Sequence, residues 1–217
     1  MRPIRLLILI FTASFIFSSP VLAQEAQASN GALKVWEKVL ASHTRYPTAD
    51  LRARKSGFII LDINFDEEGN ISSYEIAETK YKEMQKSAET ALENALELWK
   101  PEMLGDRNRD ETYQLIFNFE MIDANTPDEA IEAATKYIYK GKPEKALKIA
   151  DRLVTQKPFE PTYLELRSQI NRQLGNEEAA TADLLENQRL QEKTLAKIDI
   201  KVFGVVSTRV VQGTVNF

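Results

Sequence analysis

No cysteine occurs anywhere in the 217 residues, and histidine occurs once, at His43. The first absence removes disulfides, thiol catalysis, thiolate metal sites and an acylated N-terminal cysteine. The two together leave no typical zinc set, since His43 has neither a second imidazole nor a thiol to join it. A glycine-rich phosphate loop is missing, as is any Gly-x-Ser-x-Gly nucleophile elbow. Asp62, Asn64 and Asp66 have the alternation of a calcium loop, but Glu67 stands where that loop needs glycine, and the spacing is that of a strand. Carboxylates are abundant, yet pairs such as Asp128-Glu129 and Glu177-Glu178 fall in helical stretches and read as solvated faces. No acid/base pair stands out, so the sequence predicts no enzyme, no cofactor and no metal.

Positive charge is also in deficit, with 28 Lys and Arg against 32 Asp and Glu, a formal net charge of −4. An acidic surface repels phosphate backbones, which argues against a nucleic-acid partner. The basic cluster Arg52-Ala53-Arg54-Lys55 is too short to reverse this.

Long apolar runs are confined to the N-terminus. Arg2 and Arg5 precede an apolar stretch from Leu6 to Phe17, followed by Pro20 and the small-residue ending Val21-Leu22-Ala23. This is the layout of a secretory signal peptide over residues 1–23, cleaved after Ala23, and it predicts a periplasmic protein. An uncleaved inner-membrane anchor is the alternative, but the unbroken run is shorter than the roughly 20 residues that span a bilayer core.

What is present reads as an α+β unit followed by helices. Residues 24–31 are small and polar and predict a linker. Leu33, Trp36, Val39 and Leu40 recur at helical spacing until Tyr46-Pro47, where the residue before proline is pushed out of the helical region. Gly57 to Phe65 alternates, with Ile59, Leu61, Ile63 and Phe65 on one face. The polar turn Asp66 to Asn70 leads into a second strand, Ile71 to Glu78, and the pair reads as a β-hairpin. A helix is predicted from about Lys80 to Trp99, with Thr79 as N-cap and Pro101 as stop. A third strand follows, in which Tyr113, Leu115, Phe117, Phe119 and Met121 alternate with Gln114, Ile116, Asn118 and Glu120. The expected architecture over residues 32–123 is a three-stranded antiparallel sheet with a packed helix. Burial accounts for Trp36, Trp99, Tyr113, Phe117 and Phe119 without a ligand.

These features in this order resemble the TonB C-terminal domain. The marks are Tyr46-Pro47 after a short helix, the basic stretch Arg52 to Lys55, and Gly57 opening a strand that ends in Phe65. An acidic turn with Gly69 follows, then a helix with Ala88 and Ala91 ending in Leu98-Trp99-Lys100-Pro101, and an alternating strand ending in Phe117-Asn118-Phe119. The resemblance implies a protein-binding module, with the last strand of the sheet offering a free edge to an extended segment of an outer-membrane transporter. Carried onto this chain, that edge is Thr112 to Met121, with Gln114, Ile116, Asn118 and Glu120 as partner-binding residues. It also implies partner contacts at His43, Thr44, Arg45 and Tyr46, just before and within the Tyr-Pro pair. The chain lacks the long proline-rich spacer of force-transmitting members, having only Gln24 to Gly31 between the signal and the domain. The expectation is therefore a soluble adaptor in or near TonB-dependent transport, bound to a transporter or another envelope complex, with a homodimer left open.

Residues 124–197 predict helices that resemble the tetratricopeptide pattern at a 34-residue offset. Ala134, Gly141 and Ala146 align with Ser168, Gly175 and Ala180, small residues that let paired helices approach and a glycine for the turn between them. A second expectation follows: a scaffold in which these helices bind and the preceding domain only packs or dimerises. Residues 198–217 are rich in β-branched side chains and predict a strand-forming tail that pairs with a sheet edge, either that of its own first domain, which it would block, or a partner's.

Overall fold

The structure, a computed structural model, describes residues 20–122 and 127–203, with side chains from 31 to 122 and from 129 to 202. The export signal expected at residues 1–23 lies, up to residue 19, outside the described residues. Helix α1 (Pro20–His43) runs through the expected cleavage point and through residues 24–31, which the sequence reading took as linker. The correction has a local cause. Gln24 to Ala28 alternates alanine with glutamine and glutamate, all strong helix formers, so helix forms there without any apolar stripe to announce it. No helix of the described residues is long and apolar enough to cross a membrane.

The sequence order then follows the hydrophobic periods closely. A short helix α2 (Thr48–Arg52) precedes strands β1 (Gly57–Phe65) and β2 (Ile71–Thr79), helix α3 (Lys82–Ala95) and strand β3 (Tyr113–Ile122). At the β1–β2 turn the Asp66 carboxylate accepts the Asn70 backbone N–H at 2.8 Å, and these Asn70 bonds hold its carboxyl below the usual carboxylate range. Gly69 takes φ +88° there, which favours glycine, and an added Cβ would press on Pro101 Cβ at 3.2 Å. Its carbonyl accepts the Trp99 indole N–H at 2.9 Å, which ties the hairpin to the far end of α3. Thr79 is not the cap of α3, because it still pairs with Ile59 in the β1–β2 ladder; the cap position falls to Tyr81, which makes no side-chain bond. At its other end α3 tightens into 3₁₀ geometry at Leu96–Leu98 before Trp99.

The expected three-stranded antiparallel sheet is corrected to four strands in mixed arrangement. Strand β4 (Thr194–Phe203) lies beside β3, in the order β2-β1-β3-β4, and β3 and β4 run parallel. A parallel pair needs a long crossover connection. Four helices supply it: α4 (Pro127–Tyr139), α5 (Pro143–Gln156), α6 (Pro161–Gln173) and α7 (Glu177–Lys193). Strand β4 starts on the residue after α7, so the boundary expected at 197/198 falls inside a strand, and residues 204–217 lie outside the described residues.

Both faces of the sheet are covered. On one, Ile59, Leu61, Ile63, Leu115, Phe117 and Phe119 meet Leu33, Trp36 and Leu40 of α1 and Met84, Ala88, Ala91 and Leu92 of α3. Leu195, Ala196 and Ile198 of β4 belong to this same core. On the other face Phe58, Ile60 and Ile116 pack against Tyr163 and Leu190 of the crossover helices and Phe159 of the α5–α6 turn, with the Phe58 and Phe159 rings 5.2 Å apart and edge-on. Thus β1, read from sequence as having one strongly buried face, is buried on both.

Within the helical half the aligned small residues occupy equivalent places. Gly141 and Gly175 both take positive φ, at 63° and 76°, immediately after α4 and α6. Ala134 and Ser168 are both buried, as are Ala146 and Ala180, and Ser168 Oγ donates to the Ala180 carbonyl at 2.9 Å across the α6–α7 crossing. Arg167 grips the buried Asp183 carboxylate through Nε and Nη2, at 3.0 and 2.6 Å, and this bond raises the guanidinium pKa further.

Candidate protein-binding edge

The edge expected to be free, Thr112 to Met121, is not free. Its backbone pairs with β1 on one side and with β4 on the other, through nine residue pairs from Gln114↔Thr194 to Ile122↔Phe203. The cause is hydrophobic: Leu195, Ala196 and Ile198 are buried in the core that β3 shares with α1 and α3. A bulge at Leu195, where the register shifts, lets both Leu195 and Ala196 reach that core.

The four side chains assigned to the partner on β3 are engaged within the chain. Gln114 donates to Asp62 Oδ1 and accepts from Arg189 Nη1, each at 3.2 Å. Ile116 is 1% exposed, under the crossover helices. Asn118, 5% exposed, donates from Nδ2 to Asp199 Oδ1 of β4 at 2.7 Å. Glu120 receives Lys157 Nζ at 2.8 Å from the end of α5.

The Tyr-Pro segment is divided. Thr44 is buried, its hydroxyl donating to the Leu40 carbonyl at 2.7 Å at the end of α1. Tyr46 donates to the Lys55 carbonyl, and its ring stands edge-on to Phe119 at 5.6 Å; burial raises its phenol pKa. Arg45 is held by its backbone, which exchanges two hydrogen bonds with the Ser87 hydroxyl of α3 at 2.9 and 2.7 Å. Only His43 and Arg45 face solvent among these four.

The sequence reading missed the residues that now form the sheet's margin beside β3: Lys197, Asp199 and Lys201 of β4. Their signal was the strict alternation with Ile198, Ile200 and Val202. Lys197 meets Glu160 at 3.0 Å, and Lys193, at the α7–β4 junction, meets Glu111 just before β3. Near the C-terminal ends of β3 and β4 an open cleft of about 1010 Å³ separates the sheet from α5, with Lys80, Arg152, Lys157 and Lys201 among its lining and Glu78 and Glu120 as its carboxylates. At the opposite margin β2 is mostly exposed, carries Glu75 and Glu78, and has two register shifts against β1.

The hydrogen bond from Lys193 holds the Glu111 carboxyl below the usual carboxylate range. The folded protein therefore binds this proton less readily than the unfolded chain, so the bond stabilises fully above the ordinary Glu range and is lost as pH falls through the depressed folded value. A Glu111→Gln variant is expected to show a shallower loss of urea midpoint as the pH falls below the ordinary Glu pKa of about 4.3. Equal slopes in the two proteins would remove Glu111 from the acid response.

With this geometry established, comparison with known families locates the resemblance. Residues 42–121 match the family model of the Gram-negative bacterial TonB protein C-terminal domain. The TonB C-terminal match begins at the end of α1 and stops with β3, so most of α1, the crossover helices and β4 lie outside it. Domains of that family are non-enzymatic protein-interaction domains of the cell envelope, and the match suggests a TonB-like protein-interaction role in envelope transport. No curated protein and no solved structure matches the chain significantly.

Proposed function

We propose that the chain is a periplasmic TonB-like adaptor that takes an extended segment of a partner protein as an added strand, the partner being an outer-membrane TonB-dependent transporter or another envelope complex. The supporting observation is the seating of β4, since the β3 edge already holds an extended segment of the chain itself in parallel across nine pairs. Magnitudes decide how a partner then reaches the sheet. Replacing β4 uncovers Leu195 and Ile198, each worth about 1.5–3 kcal/mol when buried. The tethered strand also competes at an effective concentration on the order of millimolar. Extending the sheet beyond β4 incurs neither cost, because an edge strand keeps its outward N–H and C=O groups available. On this reading Gln114, Ile116, Asn118 and Glu120 seat β4, and the partner meets β4.

A photo-cross-linking residue at Val202, half-buried near the end of β4, tests the reading against one at Leu185, exposed on α7. Expressed in the cell envelope, the Val202 probe is expected to capture an outer-membrane protein, and the Leu185 probe none. The reverse pattern would favour the scaffold reading, in which tetratricopeptide-like helices bind and the TonB-like domain packs. That second reading has its own observation: Leu184, Leu185 and Tyr139 are exposed on the helical half.

A further inference from the structure

From the charge pattern of β4 we infer that the partner segment is an extended stretch in which acidic and apolar residues alternate, laid along the outer edge of β4. This rests on the strand-addition reading and specifies its partner. A strand added beside β4 places its side chains opposite those of β4 on each face. On the face toward the crossover helices those are Lys197, Asp199 and Lys201, all exposed; on the other they are Ile198, Ile200 and Val202, buried or half-buried. The lysine face calls for carboxylates opposite positions 197 and 201 and a neutral or basic residue opposite Asp199. The other face calls for β-branched or small apolar residues that continue the core.

Two further observations support an acidic partner. Lys201 forms no ion pair among the described residues, whereas Lys157, Lys193 and Lys197 each meet a carboxylate of the chain. Arg152, exposed on α5, lines the same cleft as Lys201, so positive charge gathers at the end of β4 in a chain whose net charge is −4. The edge is also open to pairing in its composition, for Thr194–Phe203 contains neither proline nor glycine. A second copy of the chain is less suited. Two β4 strands pairing antiparallel about Asp199 set Lys197 against Lys201 twice and Asp199 against itself, so a second copy would have to pair about Ile198 or Ile200, where each aspartate meets a lysine and Lys201 or Lys197 respectively stays outside those pairs.

The test uses the full chain and two synthetic peptides of the length of β4, both with valine or isoleucine at alternate positions and glutamine between them, except that two of the glutamines four residues apart are glutamate in one peptide and lysine in the other. Fluorescence anisotropy at low salt is expected to show the glutamate peptide binding about tenfold more tightly, a difference that shrinks as salt rises. Lys201→Glu is expected to narrow or reverse that preference. Equal binding of the two peptides, or an unchanged preference in the variant, overturns the acidic partner while leaving strand addition standing. A second variant, I122C/F203C, places thiols at a paired position of β3 and β4 in a chain otherwise free of cysteine, and a short bifunctional thiol-reactive reagent then fixes β4 in place. Peptide binding that survives this cross-link is expected; binding abolished by it would move the site to β3 and overturn the inference. If neither peptide binds and no amide of 194–203 gains hydrogen-exchange protection with the Val202-captured protein, strand addition itself fails. A concentration-dependent dimer in sedimentation would assign the edge to a second copy instead.

Discussion

Ile198→Ala is expected to destabilise the whole protein by about 2–5 kcal/mol, the range for removing a large aliphatic side chain from a packed core. Ile198 is 3% exposed, lies opposite Phe117 in the β3–β4 ladder, and shares a core with α1 and α3. A strand merely laid against a finished domain would give a small, local loss. Here the truncation leaves a void between Phe117 and the α1 side of the core, so guanidinium unfolding should shift to a lower midpoint as one transition. Circular dichroism and the emission of Trp36 and Trp99 should report it together. A loss below about 1 kcal/mol, or two separated transitions, would mean that β4 is not part of the folded core.

Trp36→Ala carries an expected loss of about 3–5 kcal/mol, the usual cost of truncating a buried aromatic. Trp36 is 1% exposed, stacks edge-on with Trp99 at 5.0 Å, and donates its indole N–H to the Ala95 carbonyl at 2.9 Å, where α3 gives way to 3₁₀ geometry. Trp99 in turn holds the β1–β2 turn through Gly69, so the two indoles form a chain from α1 to the hairpin. Trp36→Phe keeps most of the buried area and loses the hydrogen bond, for an expected cost nearer 1–2 kcal/mol. The comparison matters because Trp36 precedes the TonB-like span at 42–121. If Trp36→Ala left the unfolding midpoint unchanged, α1 would be an appendage to that domain rather than one of its walls.

The parts of the fold legible in the sequence were those written in a single period. Strands β1 and β3 announced themselves by alternation, and α3 by its stripe of Met84, Ala88, Ala91, Leu92 and Ala95, all buried as expected. The helix-turn glycines Gly141 and Gly175 were legible because positive φ restricts the residue type. What escaped was non-local. The strand character of the tail was plain, but sequence left two sheets open to it; in the structure β4 joins its own first domain, and Asn118 finds Asp199 81 residues away. The second buried face of the sheet escaped for the same reason, since Phe58 and Ile60 are apolar on a face whose cover arrives only with the crossover helices. At the candidate site, alternation identified the residues on β3 correctly by face, but their use by Arg189, Asp199 and Lys157 could not be read from spacing.

The crossover between β3 and β4 also sets the order in which the molecule can close. During synthesis β3 is complete some seventy residues before its neighbour, counting from Ile122 to Thr194. Until β4 emerges, the nascent sheet has an open edge, and until the helices arrive it also has the uncovered apolar side chains Phe58, Ile60 and Ile116. Pairings this distant along the chain close late and leave sticky intermediates exposed. The strand that guards the edge in the finished protein is thus the last described element to be made, and the growing chain depends on whatever holds other strands away until then.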